Sequence, residues 1–284
     1  MFPASFDYYA PTSLAEALRL LAEHGEDAKL LAGGHSLLPA MKLRLLEPGC
    51  LIDLGRIPQL QGIRQEGQTL VIGAGTCHSD VAASSLVRQV ALGLATAAAL
   101  IGDVQVRNRG TIGGSVAHDD PAADYPVILT ALDASFVLLS AAGPSTVTAG
   151  DFFIDHFTTA LEAGQIITEV RVPVAAPGNA SAYAKLEHPA SGFAVVSAGV
   201  RLERDPDGRC RAARVAIGGL GGRPHRAAET EAALTGQALT PETIARAAGF
   251  AAAGSEPDGD AYAPAEYRSH MATVYAQRAL EAAL

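Results

Sequence analysis

The stretch LLAGGHSLLPAMKLRL, residues 30–45, joins a short apolar run to a pair of glycines and then to a helix-like segment. Glycine accepts a positive φ and has no Cβ, so the consecutive N–H groups of such a turn can point into one concavity. Concavities of this kind bind anions, and phosphate oxygens are their usual ligands. A single glycine pair is more often a plain turn, so this stretch alone leaves both interpretations open.

A second glycine pair follows the same pattern in TIGGS, residues 111–115. Ser36 follows the first pair, and Thr111 and Ser115 flank the second, so both loops carry hydroxyl donors. The chain has no GxxxxGK[ST] motif and no GxGxxG motif, which argues against a P-loop and against a standard Rossmann pyrophosphate site. Two separate diglycine loops instead predict a diphosphate held between them, and FAD is the dinucleotide that fits by size and charge.

Composition limits the possible partners and cofactors. The chain has 284 residues, a net charge of −9 and only 18% charged residues, so nucleic acid is not an expected partner. No segment approaches the roughly 18 consecutive apolar residues of a membrane span, and the N-terminus does not resemble a signal peptide, so we expect a cytoplasmic protein. The cysteines Cys50, Cys77 and Cys210 are scattered and form no iron–sulfur motif. The histidines lack metal-binding spacing and no catalytic triad is recognisable, so we expect neither a metal site nor catalytic side chains.

The order of the predicted elements indicates two domains. PTSLAEALRLLAEHG carries the capping-box spacing of Ser13 and Glu16, and strands and helices alternate after it. Pro121 is predicted at the first position of a later helix, after two acids. From residue 135 the pattern becomes β, and AAPGN at residues 175–179 is the predicted linker. A three-stranded antiparallel meander and three helices are predicted to close the chain.

Three motifs carry a resemblance to a known family. LLAGGHSLLPAMKLRL, VRNRGTIGGSVAHDDPAADYPVILTALDA and KLEHPASGFAVV resemble the FAD-binding medium subunits of molybdenum hydroxylases, the carbon monoxide dehydrogenase and xanthine dehydrogenase family. The motifs occur in family order, and the resemblance runs from the first predicted helix to the last. It is strongest to the carbon monoxide dehydrogenase type, a subgroup that spans many substrates.

The resemblance implies a fold and a domain division. The fold is α+β: a vanillyl-alcohol-oxidase-type (PCMH-type) FAD-binding domain of two α/β subdomains, followed by a C-terminal α+β domain. The expected boundaries are residues 1–176 for the FAD-binding domain, with subdomains at about 1–56 and 57–176, and residues 177–284 for the C-terminal domain.

The resemblance also implies which residues contact FAD. The first loop would wrap the diphosphate, and the second would face it. Farther along, an acid would bond a cofactor hydroxyl, a lysine would lie beside the isoalloxazine ring, and apolar side chains would surround the flavin or adenine. These residues are Ala32, Gly33, Gly34, His35, Ser36 and Leu37 in the first loop; Thr111, Gly113, Gly114 and Ser115 in the second; and Ile101, Asp124, Ile167, Lys185 and Phe193 elsewhere.

Some positions depart from the family pattern. Ser115 stands where many relatives have Asn, and it keeps a shorter hydrogen-bonding side chain. Phe193 stands where close relatives often have Tyr, so the aromatic plane is kept and the hydroxyl is lost. His35 is expected to bond phosphate or close the turn, since flavin in this family is held noncovalently.

The resemblance implies an electron-transfer subunit of a molybdenum hydroxylase. It would receive electrons from two [2Fe-2S] clusters on a small partner and pass them through FAD to an external acceptor. A large partner would carry the molybdenum cofactor and oxidise the substrate, commonly in a dimer of heterotrimers. Two alternatives stay open: a self-contained flavin oxidase or dehydrogenase of the same fold, and a flavin-free assembly subunit. The sequence does not define the substrate or the final acceptor.

Overall fold

A small parallel sheet forms the N-terminal part of the chain. The computed structural model describes residues 2–174, 176 and 178–284. The strands β1 (Asp7–Tyr9), β2 (Ala28–Leu31) and β3 (Cys50–Asp53) pair in parallel in the order β1-β3-β2. Helix α1 (Leu14–His24) begins as predicted, with Ser13 Oγ accepting from Glu16 N at 3.2 Å. Helix α2 (Leu37–Lys42) follows the first glycine loop.

A five-stranded antiparallel sheet forms the next part, in the order β4-β5-β10-β6-β7. Its strands are β4 (Ile63–Glu66), β5 (Thr69–Gly73), β6 (Ser135–Ser140), β7 (Gly143–Thr148) and β10 (Ile166–Pro173). A short hairpin is formed by β8 (Phe153–Asp155) and β9 (Thr158–Thr159). The helices here are α3 (His78–Ala83), α4 (Ser85–Val90), α5 (Leu92–Ala99), α6 (Val104–Arg107), α7 (Ile112–His118), α8 (Asp124–Ala131) and α9 (Ala149–Phe152).

The prediction for Pro121 is wrong, because α8 begins at Asp124 rather than at the proline. Asp119 adopts a left-handed conformation at the end of α7, with φ of 47°, and this stops that helix. Asp120 Oδ1 then accepts from Ala122 N at 2.9 Å and closes a turn. The two acids therefore end one helix and shape the connection, instead of starting the next helix.

The C-terminal part is a second antiparallel sheet with helices. The strands β11 (Ala180–Glu187), β12 (Ala194–Arg204) and β13 (Cys210–Gly218) form the predicted meander, and the two-residue strand β14 (His225–Arg226) extends it. The predicted helices are present as α10 (Ala228–Leu234), α11 (Pro241–Ala248) and α12 (Ala265–Ala282). The predicted linker, residues 175–179, includes Ala175 and Pro177, which lie outside the described residues.

Helix α8 packs directly on the C-terminal sheet because glycines leave room for it. A Cβ on Gly199 would lie 2.9 Å from Ile128 Cα, and one on Gly218 would lie 2.5 Å from Val127 Cγ2. Every residue of α8 is buried as a result. This close packing brings Asp124, at the start of α8, against β11. Among the described residues, no helix has the length and apolarity that crossing a membrane requires.

Candidate functional site

The first glycine loop leaves a run of backbone donors free. It connects β2 to α2, and Gly34 has a positive φ of 75°. Among the described residues, no group accepts a hydrogen bond from the N–H of any residue from Gly33 to Leu37. Unpaired backbone N–H groups are satisfied by water or a ligand, and a run of them forms an anion-binding nest. The loop therefore has the donor set that a diphosphate requires.

The second glycine loop uses its N–H groups within the protein. Gly113 N donates to Ala74 O at 2.8 Å, Gly114 N to Thr111 Oγ1 at 3.1 Å, and Ser115 N to Thr111 O at 3.0 Å. A Cβ on Gly113 would lie 2.5 Å from Ala74 Cβ, so this glycine allows α7 to pack closely on β5. The loop can still offer the hydroxyl groups of Thr111 and Ser115, but its backbone donors differ from the free donors expected from the sequence.

The two glycine loops lie against each other. A Cβ on Gly33 would lie 2.5 Å from both Arg109 O and Gly110 Cα, just before the second loop. A Cβ on Gly114 would lie 3.6 Å from Ala32 Cβ. The structure thus brings together two segments that are about 80 residues apart in sequence.

Lys185 forms a second centre. Its side chain is 1% exposed, and Nζ donates to Leu100 O at 2.7 Å and to Gly192 O at 2.9 Å. Nζ also lies 3.0 Å from Asp124 Oδ1. An ammonium group has three N–H donors, so these contacts use all of them. Lys185 therefore ties β11 to α8, to the segment before Ile101 and to the segment before Phe193.

Asp124 is a buried carboxyl group with two donors on one oxygen. Tyr183 donates its hydroxyl hydrogen to Asp124 Oδ1 at 2.8 Å, beside the contact from Lys185. Burial raises the pKa of Asp124 to about 6, although Lys185 and the Tyr183 hydrogen bond act in the opposite direction. The second oxygen, Oδ2, accepts no hydrogen bond from the residues that the structure describes. Asp124 can therefore accept a hydrogen bond from a ligand hydroxyl.

The remaining predicted residues differ in their surroundings. His35 and Ser36 are exposed in the first loop, and Ala32 and Leu37 are half-buried. Ile101 lies beside Leu100, and Arg107 Nη1 donates to Ile101 O at 2.9 Å. Phe193 is 48% exposed and follows Gly192, whereas Ile167 is only 6% exposed and belongs to the hydrophobic core.

The sequence did not indicate Tyr183 or His78 as residues of the site. Tyr183 and Lys185 are two residues apart on β11 and so share a face of the strand, a signal that could have found the tyrosine. His78 N donates to Gly110 O at 3.0 Å, and its ring lies 5.3 Å from that of Tyr125. Burial, with smaller effects from His35 and Arg107, lowers the pKa of His78 to about 4, so the ring is neutral at pH 7. His78 links the second glycine loop to α8.

Comparison with known proteins defines the class. Residues 4–175 match the FAD binding domain in molybdopterin dehydrogenase, and residues 181–283 match the CO dehydrogenase flavoprotein C-terminal domain. The chain therefore belongs to the FAD-binding medium subunits of the molybdenum hydroxylases, and the resemblance read from the motifs is confirmed. It is an oxidoreductase flavoprotein subunit by family.

Relatives match over the full length. The chain is 44% identical to the carbon monoxide dehydrogenase medium chain of Hydrogenophaga pseudoflava, covering 100% of this chain and 98% of the relative. It is 38% identical to subunit alpha of the 6-hydroxypseudooxynicotine dehydrogenase complex of Paenarthrobacter nicotinovorans, covering 100% and 96%.

Solved structures confirm the predicted fold. The structure of carbon monoxide dehydrogenase from Hydrogenophaga pseudoflava matches with a TM-score of 0.95 and 46% identity, covering 100% of this chain and 98% of the other. Quinoline 2-oxidoreductase from Pseudomonas putida 86 matches with a TM-score of 0.93 and 35% identity, with the same coverage. The α+β architecture with an FAD-binding part and a C-terminal domain is therefore established.

Proposed function

We propose that this chain binds FAD between its two glycine loops and the Lys185 centre. The observation that carries the proposal is the run of free N–H groups from Gly33 to Leu37, in a loop that contacts the segment just before the second loop. The net charge of −9 makes this arrangement important, because backbone donors hold a dianionic diphosphate without a neighbouring cation. Ser115 and Thr111 add hydroxyl groups from the opposite side.

The rest of the chain would orient the cofactor. Bound FAD supplies two-electron redox chemistry, and we assign no acid–base step to a side chain. Asp124 offers Oδ2 to a cofactor hydroxyl while Tyr183 and Lys185 hold Oδ1. Ile101 and Phe193 are placed by the backbone carbonyls that Lys185 binds. Ile167, which the resemblance places near the flavin or adenine, lies in the hydrophobic core and is only 6% exposed.

The resemblance implies a lysine beside the isoalloxazine ring, but the contacts of Lys185 favour a more indirect role. Its three donors are already used by Leu100, Gly192 and Asp124, so it would not donate to the isoalloxazine ring without losing one of these contacts. Its positive charge still favours an anionic reduced flavin through space. We therefore treat it as a positioning residue with an electrostatic effect.

The chain would act within a larger cytoplasmic enzyme. Electrons would arrive from two [2Fe-2S] clusters on a small subunit, and substrate would be oxidised at a molybdenum cofactor on a large subunit, in a dimer of heterotrimers. The names of the relatives range from carbon monoxide to quinoline, which is consistent with substrate choice residing on the partner. We place the FAD-binding domain at residues 1–176, with subdomains at about 1–56 and 57–176, and the C-terminal domain at 177–284.

Gly114→Ala tests the two-loop site. The new Cβ would lie where the two loops meet, 3.6 Å from Ala32 Cβ, with Thr111 Oγ1 at 2.8 Å as its nearest neighbour. Helix propensity favours alanine here, so the fold should tolerate the change apart from a small shift of Thr111. A diphosphate between the loops would be displaced, and we expect FAD binding to weaken at least about tenfold. Flavin absorbance per chain after purification measures this.

A matched control is Gly150→Ala, another glycine within a helix, where the new Cβ would meet only Thr148 Oγ1 at 3.8 Å. It should retain flavin fully. If Gly114→Ala has the same free energy of unfolding as the unsubstituted chain and also keeps its flavin, the diphosphate does not lie between the loops.

Native purification tests the proposed partners. Flavin bands accompanied by molybdenum, iron and two further chains are expected. Flavin in a lone chain without metals would instead favour a self-contained oxidase, and two partner chains without flavin would favour an assembly subunit.

A further inference from the structure

Two cations bind the turn that follows helix α5. Lys185 Nζ donates to Leu100 O at 2.7 Å. Arg107 Nη1 donates to the next two carbonyls, Ile101 O at 2.9 Å and Gly102 O at 3.0 Å. Positive side chains at such carbonyls suit the negative end of a helix dipole. Ile101, which the resemblance places near the flavin or adenine, lies in the middle of this turn and is held from both sides.

Arg107 also lies close to the second glycine loop. It is the last residue of α6, and Gly110 follows three residues later, in contact with the first loop. His78 N donates to Gly110 O, and burial, His35 and Arg107 lower the pKa of His78, in that order. The charge of Arg107 therefore acts on the region of the second loop as well as on the turn after α5.

The two cations differ in their counter-ions. Lys185 Nζ lies 3.0 Å from Asp124 Oδ1, so their charges largely cancel above about pH 6, where Asp124 is ionised. Arg107 is half-buried, and among the described residues no carboxylate forms an ion pair with it. A guanidinium stays protonated in proteins. Arg107 thus brings an uncompensated positive charge to the turn that contains Ile101.

We propose that Arg107 is a positioning residue of the flavin site, which holds the Ile101 turn and whose charge favours the anionic reduced flavin more strongly than Lys185 does. The proposal rests on the proposed function, because it requires FAD to be bound at this site. Uptake of two electrons and one proton adds one negative charge to the flavin, so an uncompensated cation nearby favours the reduced form. The electrons would come from the iron–sulfur partner and the proton from water.

The midpoint potential of the flavin tests the charge, on the protein purified with the partners that accompany it. Arg107→Gln removes the charge and keeps an amide donor for the turn. Reduced flavin should then bind about tenfold more weakly relative to oxidised flavin, which lowers the potential of this two-electron couple by about 30 mV. Arg107→Lys keeps the charge and should restore the potential.

A matched control is Arg88→Gln. Arg88 is an exposed arginine on α4 whose Nε also donates to a carbonyl near a helix end, Ala82 O at 2.9 Å. This variant should leave the potential unchanged. Flavin content and the free energy of unfolding are measured for every variant, because a purely structural role would lower stability without moving the potential.

A second variant tests the charge without removing the arginine. Val104 is 60% exposed and lies three residues before Arg107 on α6. In Val104→Glu the new carboxylate can pair with the guanidinium, as Asp124 pairs with Lys185. The potential should fall, whether or not Arg107→Gln folds, and Val104→Gln is the uncharged control.

The outcomes separate this inference from the proposed function. Normal flavin content with unchanged potentials in Arg107→Gln and Val104→Glu would overturn the inference alone. An equal loss of affinity for oxidised and reduced flavin would also overturn it, because the charge would then serve the diphosphate. The same fall in potential for Arg107→Lys as for Arg107→Gln would contradict a role for the charge. A native preparation without flavin would overturn the proposed function, and this inference with it.

Discussion

The two ends of the candidate site differ in the groups that form them, which are backbone groups at one end and buried side chains at the other. At the glycine end the backbone provides the donors and the close contacts, through Gly33, Gly113 and the free N–H groups of the first loop. At the other end buried side chains do so, since Lys185, Asp124 and Tyr183 form one hydrogen-bonded cluster. The first end is sensitive to added atoms, and the second is sensitive to lost charges and hydrogen bonds.

This difference also separates two roles within the glycine end. The loops look alike in sequence, yet only the first leaves its N–H groups free. The N–H groups of the second loop donate hydrogen bonds to Ala74 and Thr111. A glycine pair can thus serve ligand binding in one loop and close packing in the other. Substitutions can separate these uses.

Lys185→Met should give the largest loss and tests the charged end. Methionine has a similar length but no charge, so Asp124 would be left as a buried carboxyl group without its cation, and two carbonyls would lose a donor. We expect the free energy of unfolding to fall by about 3–5 kcal/mol. The pKa of Asp124 should rise further above about 6, because Lys185 now opposes that rise. Urea denaturation measures the stability.

Two further variants make this prediction specific. Lys185→Met combined with Asp124→Asn should be less destabilised than Lys185→Met alone, because the unpaired carboxylate is gone. Lys29→Met removes an exposed lysine on β2 and should change little. Equal losses for the double and single variants would mean that the ion pair does not organise this end.

Gly33→Ala should have an intermediate effect and tests the backbone end. Its Cβ would overlap Arg109 O and Gly110 Cα, which are main-chain atoms that cannot rotate away. We expect the free energy of unfolding to fall by about 1–3 kcal/mol, with or without added FAD. Gly150→Ala is again the control. Unchanged stability with lost flavin would show that Gly33 serves the ligand alone and that the contact between the loops is not strained by a Cβ.

The sequence predicted the backbone end better than the charged end. Glycine pairs after apolar strands are visible as a local pattern, and α1 followed from the spacing of Ser13 and Glu16. The cluster around Lys185 depends on contacts between residues far apart in sequence, including Leu100, so spacing alone could not reveal that all three ammonium donors were used. Pro121 misled because Asp119 ends a helix through a left-handed conformation that local propensity does not indicate.

Tyr183→Phe should have the smallest effect, and its dependence on pH would sharpen the contrast between the two ends. The variant removes one hydrogen bond to Asp124, at a cost of about 1 kcal/mol in the free energy of unfolding near pH 8.

The pKa of Asp124 is about 6 in the folded chain against 3.8 for an ordinary carboxyl, so the folded state binds the proton more tightly. The contribution of Asp124 to stability therefore falls as pH rises through this window and is constant above it. Without the tyrosine hydroxyl the pKa of Asp124 rises further, so the free energy of unfolding of the variant keeps falling to higher pH. The difference in free energy of unfolding between the variant and the unsubstituted chain should therefore be small near pH 5 and increase toward pH 8. Gly33→Ala should show no such dependence, because a steric overlap does not titrate. A constant difference for Tyr183→Phe from about pH 5 to 8 would mean that the tyrosine packs against Asp124 without stabilising its charge.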